Sequence, residues 1–174
     1  MSATGARGAG DLMPTLDALA RALRRRGQRM ATAESCTGGM IAAACTELAG
    51  SSDWFERGFV TYSNEAKHDL LGVDPRLIAR DGAVSESVAR AMAEGALARA
   101  PVAWSVAVTG IAGPGGATPG KPVGTVWLAV AGGGATVAQR LQLDGDRASV
   151  RSQTVAHALL ALRQAIEAAP GPEA

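Results

Sequence analysis

The basic residues of this chain are divided very unevenly between arginine and lysine. Fifteen of the 17 are arginine, and the two lysines are Lys67 and Lys121. A lysine kept in such a chain suggests a role that needs an amine able to give up its proton, which a guanidinium does not do near neutral pH. The single tyrosine, Tyr62, lies five residues before Lys67. These two residues are therefore the first place to look for acid–base chemistry, although their scarcity does not by itself prove catalysis.

Ser35 lies where a short predicted strand, residues 29–34, ends at a glycine-rich turn before a helix that starts at Met40. A side chain at the carboxyl end of a strand in an open α/β fold points to the usual ligand position. The N–H groups and positive dipole of the following helix would suit a developing oxyanion. Two interpretations stay open: Ser35 is a nucleophile that needs a base, or Ser35 or Thr37 is merely the N-cap of the helix.

Lys67 is the stronger candidate for that base. The usual base is histidine, but neither His68 nor His157 has an acidic residue placed to orient it, and both are interpreted as structural or surface residues. Lys67 falls in the first turn of a helix predicted to be capped by Asn64, where the helix dipole and partial burial both lower an amine pKa. Tyr62 could relay a proton or donate one to the leaving group. The alternative is a solvated lysine and a half-buried tyrosine.

Two further segments could hold an anion. The loop 109–116 follows a predicted strand and has four glycines in its last seven positions, so its N–H groups can approach a phosphate or carboxylate. It lacks the lysine and hydroxyl residue of a P-loop, and an ordinary long turn is the alternative. Arg147 could place a guanidinium near an anion at the start of the last helix, although helix capping by Asp146 explains that dipeptide equally well. Cys36 is a rival nucleophile that is predicted to pack behind the loop.

Composition narrows the class of protein. The 174 residues are 47% hydrophobic but only 3% aromatic, and 37 are alanine, which predicts one domain with a close-packed core of small side chains. A net charge of +1 disfavours a nucleic-acid-binding protein, and no apolar stretch approaches the 18 or so residues of a membrane span. Cys36 and Cys45 are predicted to be free thiols in a reducing, cytoplasmic compartment. The spacing of cysteine and histidine predicts no metal site.

Predicted helices and strands mostly alternate, and two strands joined by three glycines form a late hairpin. This pattern predicts a three-layer α/β/α domain with a mixed sheet over residues 13–169, after a disordered leader at 1–12 and before a frayed tail at 170–174. The predicted helices are 14–26, 40–48, 64–71, 85–99 and 147–168, with a short turn from Asp74. The later predicted strands are a run at 59–62 within 54–63, then 104–109, 123–131 and 135–143.

Four segments carry a resemblance to a known family. They are TAESCTGG at 32–39, GFVTYSNEAK at 58–67, TGIAGP at 109–114 and KPVGTV at 121–126. In this order they resemble the CinA C-terminal domain family, whose stand-alone bacterial members are nicotinamide-nucleotide amidases. The similarity covers roughly residues 16–162.

The resemblance implies hydrolysis of the carboxamide of nicotinamide mononucleotide to nicotinate mononucleotide and ammonia, without a metal or organic cofactor. The family's Ser-Lys-Tyr arrangement falls on Ser35, Lys67 and Tyr62. In the mechanism inferred from it, Lys67 or Tyr62 takes the Ser35 proton, an acyl-enzyme forms, and water cleaves it. Backbone N–H groups near Ser35 and in the glycine loop are expected to hold the oxyanion.

The resemblance also implies a homo-oligomer, commonly a dimer, and leaves open whether Arg147 serves its own site or a neighbour's. Two other functions stay open: a Ser-Lys amidase or esterase acting on another small amide, and a non-catalytic nucleotide-binding or regulatory module. The residues expected to contact substrate are Thr37, Gly38, Thr109, Gly110, Ile111, Ala112, Gly113 and Arg147.

Overall fold

The computed structural model describes residues 12–171, which contain six α-helices and a five-stranded sheet. The predicted leader and tail lie outside the described residues except at Leu12, Pro170 and Gly171. In chain order the elements are α1 Met13–Arg25, β1 Met30–Glu34, α2 Met40–Glu47, a 3₁₀ turn Ser51–Asp53, β2 Phe55–Val60, α3 Asn64–Leu71, α4 Pro75–Asp81, α5 Glu86–Arg99, β3 Trp104–Gly110, β4 Thr125–Gly132, β5 Ala135–Gln142 and α6 Arg147–Ala168.

The strands lie in the order β2-β1-β3-β4-β5. β1 runs parallel to both β2 and β3, whereas β3, β4 and β5 are successively antiparallel, so the predicted mixed sheet and the late hairpin are confirmed. Glu34, the last residue of β1, is paired with Val60 on one side and Val108 on the other. The carboxyl ends of the three parallel strands therefore meet at one edge of the sheet.

Helices cover both faces of the sheet, which confirms the three-layer prediction. One core packs α1, α2 and α6 against Val106 and Leu128, and the other packs α3, α4 and α5 against Ala107 and Ala129. Neighbouring residues of a strand point to opposite faces, so the α5 side of β3 and β4 presents mainly alanine. Helix α5 can then approach closely, and the buried hydroxyl of Ser105 donates to the carbonyl of Ala93 at 2.6 Å.

The helix starts follow the sequence with one correction. Ser85 caps α5 as predicted. The cap of α3, however, is Ser63 and not Asn64: the Ser63 hydroxyl accepts from the Ala66 N–H at 3.0 Å, and Asn64 is the first helical residue. A serine in extended conformation makes this bond as well as an asparagine does, and the change moves Lys67 one position further into the helix.

Along residues 12–171 no helix combines the length and the hydropathy needed to cross a bilayer.

Candidate active site

A cleft of about 210 Å³ lies at the carboxyl ends of β1, β2 and β3, next to the first turn of α6. Each segment that the sequence singled out for chemistry contributes to it. Its lining consists of Ser35, Cys36, Tyr62, Asn64, Lys67, Ala83, Val84, Thr109, Gly110, Ala112 and Arg147.

Ser35 follows β1 directly and begins a tight turn, Ser35–Gly39, which we call the serine turn. The Ser35 N–H donates to the carbonyl of Val108 at 3.1 Å, so this residue stays attached to the sheet. Its own carbonyl accepts from Gly38 at 3.0 Å, and Gly38 and Gly39 take the positive φ values of 59° and 101° that allow the chain to reverse. The hydroxyl of Ser35 is thus fixed at the edge of the cleft, with 9% of the residue exposed.

The amine of Lys67 is buried and lies against Ser35. Its Nζ is 3.1 Å from the Ser35 Oγ and 2.9 Å from the carbonyl oxygen of Thr61, with the carbonyls of Tyr62 and Ser63 at 3.3 and 3.4 Å. Only 1% of Lys67 is exposed, and this burial lowers the pKa of its amine below the ordinary lysine value. The structure therefore brings together the serine and the lysine that the sequence singled out.

Glu34 lies beneath the serine turn and is fully buried. Its carboxylate accepts from the hydroxyl of Thr37 at 2.6 Å and from the N–H groups of Gly39, Ile41 and Ala42 at 2.8–3.1 Å. These N–H groups belong to the start of α2, which the sequence offered as the oxyanion site. That expectation is wrong for the helix N-terminus, because the protein's own carboxylate occupies it.

Two N–H groups of this segment donate to no carbonyl and to no carboxylate among the described residues. From 35 to 42, the N–H groups of the other residues donate to Val108, Ser35, Thr37 or the Glu34 carboxylate, and those of Cys36 and Thr37 are left. Buried or half-buried backbone N–H groups are nearly always paired. The pair beside Ser35 is therefore suited to receiving an acceptor from outside the protein.

Tyr62 and Arg147 meet at the mouth of the cleft. The guanidinium of Arg147 donates to the Gly113 carbonyl at 2.8 Å and to the Tyr62 phenol oxygen at 3.1 Å. Arg147 thus lies at the cleft of its own chain, joining the glycine loop to the end of β2. The Tyr62 phenol, in a residue 61% exposed, contacts this guanidinium, whereas its backbone carbonyl contacts Lys67.

Arg151 lies one turn further along α6 and contacts the serine turn. Its Nε and Nη2 donate to the carbonyls of Cys36 and Thr37 at 3.0 and 3.1 Å. The sequence analysis missed Arg151, although its four-residue spacing from Arg147 on a helix was a usable signal. Glu34 was also missed; the signal was a charged residue at the end of a buried strand. Asn64 was considered only as a cap.

The predicted substrate contacts divide into two groups. Thr109, Gly110, Ala112 and Arg147 line the cleft. The other four do not: the hydroxyl of Thr37 is taken by Glu34, Gly38 closes the serine turn, Ile111 pairs with Thr125, and Gly113 accepts from Arg147. These residues shape the walls of the site through the backbone.

The rival nucleophiles and bases fit less well. Burial raises the pKa of the Cys36 thiol to about 11, which removes the thiolate that would make it reactive. His68 is exposed, its Nδ1 lies 3.1 Å from the carbonyl of Val73, and neither His68 nor His157 lines the cleft. Lys121, the other lysine, donates to the carbonyl of Asp81 at 2.8 Å and supports the end of α4. Within residues 12–171, no three His, Cys, Asp or Glu side chains converge as a metal site would require.

Known proteins similar to this chain share one family. The model of the CinA C-terminal domain matches residues 14–166. The chain belongs to the CinA C-terminal domain family. Among its CinA relatives, the nicotinamide-nucleotide amidohydrolase PncC of Escherichia coli strain K12 is 50% identical over 155 residues, spanning 88% of this chain and 94% of the relative. The PncC of Pseudomonas putida is 54% identical over 142 residues, 82% of this chain and 89% of the relative.

Longer CinA relatives and solved structures agree with this assignment. A relative from Symbiobacterium thermophilum, whose name refers to competence damage, is 53% identical over 156 residues, and the chain spans only 37% of its length. The crystal structure of competence damage-inducible protein A from Klebsiella pneumoniae superposes with a TM-score of 0.86 at 41% identity, covering 89% of this chain and 96% of that one.

Proposed function

We propose that this chain hydrolyses the carboxamide of nicotinamide mononucleotide to nicotinate mononucleotide and ammonia. The observation that carries the proposal is the buried Lys67 amine, 3.1 Å from the Ser35 hydroxyl at the edge of a cleft. The relatives named PncC support an amidohydrolase, and the identity of the substrate rests on their names and on the chemistry of the cleft.

The surroundings of Lys67 can accommodate a neutral amine, which is the form that a base requires. A neutral amine has two N–H groups and one lone pair. The N–H groups can donate to the carbonyl of Thr61 and to that of Tyr62 or Ser63, which leaves the lone pair to accept the hydroxyl proton of Ser35. Burial lowers the Lys67 pKa in the direction that favours this form. Lys67, rather than the Tyr62 phenol, is therefore the proposed base.

The reaction proceeds through an acyl-enzyme. Lys67 takes the proton of Ser35 as Oγ attacks the carboxamide carbon, and the oxyanion accepts from the N–H groups of Cys36 and Thr37. The Lys67 ammonium then gives the proton to the departing nitrogen, the carbon–nitrogen bond breaks, and ammonia leaves. In the second half, water loses a proton to Lys67, its oxygen attacks the acyl carbon, and the proton returns to Ser35 as the ester bond breaks.

Arg147 is the proposed partner of the substrate's 5′-phosphate. It is exposed at the mouth of the cleft, it carries the charge that a phosphate requires, and one of its donors is spent on the Tyr62 phenol. A phosphate at this position would replace that weaker contact with a charge-assisted one. Tyr62 then orients the guanidinium before the substrate binds.

Ammonia release from nicotinamide mononucleotide tests the proposal. The native protein is expected to release ammonia without added metal. Ser35→Ala is expected to abolish release and keep the fold, because only one oxygen is removed. Cys36→Ala is the matched control, since it changes the neighbouring side chain and should retain turnover. If Cys36→Ala lost activity and Ser35→Ala retained it, Ser35 would be rejected as the nucleophile. If the native protein bound the nucleotide without releasing ammonia, the proposed amidase function would be rejected.

A further inference from the structure

The guanidinium of Arg151 donates to two carbonyls of the serine turn. Its donors reach the carbonyls of Cys36 and Thr37 at 3.0 and 3.1 Å, and Nη2 lies 3.6 Å from where a side chain on Gly38 would begin. Among the described residues no ion pair involves Arg151. Both of its hydrogen bonds therefore go to the turn that carries Ser35.

The serine turn is held between this cation and an anion. On one side Arg151 takes its carbonyls, and on the other the Glu34 carboxylate takes the Thr37 hydroxyl and the Gly39 N–H at 2.6 and 3.1 Å. Charge-assisted hydrogen bonds of this kind are stronger and more directional than neutral ones. The peptide planes between Glu34 and Gly39 therefore have little freedom to rotate.

The peptide whose carbonyl Arg151 contacts, Cys36–Thr37, carries the Thr37 N–H, which the proposed reaction uses as one of its two oxyanion donors. A trans peptide points its carbonyl and its N–H in opposite directions. Fixing the Cys36 carbonyl on Arg151 therefore turns the Thr37 N–H, one of the two donors, away from the guanidinium. The cation also polarises that peptide and strengthens its N–H as a donor.

We propose that Arg151 is a positioning residue for amide hydrolysis, acting through the Cys36–Thr37 peptide on the oxyanion. The inference rests on the proposed function. It separates two arginines one helical turn apart: Arg147 faces the bound substrate, whereas Arg151 acts on the transition state. Loss of Arg151 should consequently lower kcat and leave KM nearly unchanged.

The experiment compares Arg151→Gln, Arg151→Lys and Arg151→Ala with the native protein, using steady-state ammonia release from nicotinamide mononucleotide. We expect kcat to fall about 10- to 100-fold in Arg151→Gln, the range for a misplaced but present oxyanion donor, with KM within about twofold. Arg151→Lys should keep part of the activity, because one ammonium can still donate to one carbonyl. Added guanidinium ion should restore turnover to Arg151→Ala, and added ammonium ion should restore less.

Arg163→Gln is the matched control, since Arg163 is also half-buried on α6 but pairs with Glu167 at 3.7 Å, away from the cleft. It should keep native kcat. The inference would be overturned if Arg151→Gln kept native kcat or changed only KM. It would also be overturned if Arg151→Ala lost activity that guanidinium does not restore while its thermal unfolding stayed native-like. If Arg151→Ala does not fold, the test rests on Arg151→Lys, which keeps the charge. A lowered kcat in Arg151→Lys with KM nearly unchanged would support the inference, and a native kcat would overturn it. A native protein without turnover would instead reject the proposed function.

Discussion

The protonation of Lys67 should control the pH dependence of turnover. An ordinary lysine has a pKa of about 10.4, so at pH 7.4 only about one amine in a thousand would be neutral. Burial lowers the Lys67 pKa, and each unit of lowering makes the neutral, active form about tenfold more abundant at that pH. The value of kcat/KM is therefore expected to rise with pH and to level off at a pKa below 10.4.

The magnitude of the Lys67 contribution follows from its contacts. General-base help from a positioned side chain is worth about 10²- to 10⁴-fold. Lys67→Arg keeps the charge but supplies no base, and Lys67→Met keeps the approximate volume of a side chain that is only 1% exposed. Both are expected to lose at least about 10³-fold in kcat and to lose the rising limb of the pH profile.

The assay is ammonia release from nicotinamide mononucleotide between about pH 6 and 10.5, with denaturant unfolding at the same pH values. Between the lowered Lys67 pKa and about 10.4, the unfolded chain binds more protons than the folded one. The free energy of unfolding of the native protein should therefore rise with pH across that window. The same free energy should change less with pH in Lys67→Met. Turnover by Lys67→Met within about tenfold of native, or a rising limb unchanged in its pKa, would refute Lys67 as the base and direct attention to Tyr62 or His68.

Two further perturbations test the surroundings of the pair. Arg147→Gln should raise KM for nicotinamide mononucleotide by about 10- to 100-fold, which is the value of one charge-assisted hydrogen bond. The KM for nicotinamide riboside, which lacks the phosphate, should stay unchanged. An equal effect on both substrates would contradict the phosphate assignment. Glu34→Gln places an amide where five donors converge on a carboxylate, and urea unfolding should show a loss of about 3 kcal/mol. The exposed Glu47→Gln on the same side of the sheet should change stability little.

Periodicity and turn residues predicted the secondary structure well. The last helix was placed at 147–168, as the structure has it, because Asp146 marks its start and its apolar spacing is regular. The hairpin followed from three consecutive glycines between two apolar runs. The error at the start of α3 arose because Ser63 and Asn64 are both good caps, and only the path of the chain decides between them.

The sequence singled out several residues that line the cleft, but not their hydrogen-bond partners. The scarcity of lysine pointed to Lys67, and the strand-to-glycine transition pointed to Ser35, because both are properties of the sequence itself. That the Glu34 carboxylate accepts from the N–H groups at the start of α2 could not be predicted from the sequence. It depends on a buried side chain turning toward N–H groups five to eight residues later in the chain. Arg151 reaches the serine turn across more than a hundred residues, a contact that no local pattern contains.

The position of α6 has a consequence for how the protein is made. Ser35 and Lys67 are synthesised early, but both guanidinium groups at the site arrive with α6, which follows every other element and also covers α1. A nascent chain that has not yet completed α6 holds the Ser–Lys pair without the arginines that, as proposed here, bind the substrate and orient the oxyanion donors. Turnover by the proposed reaction would then begin only after α6 has left the ribosome and docked, so that this activity would report that α6 is in place.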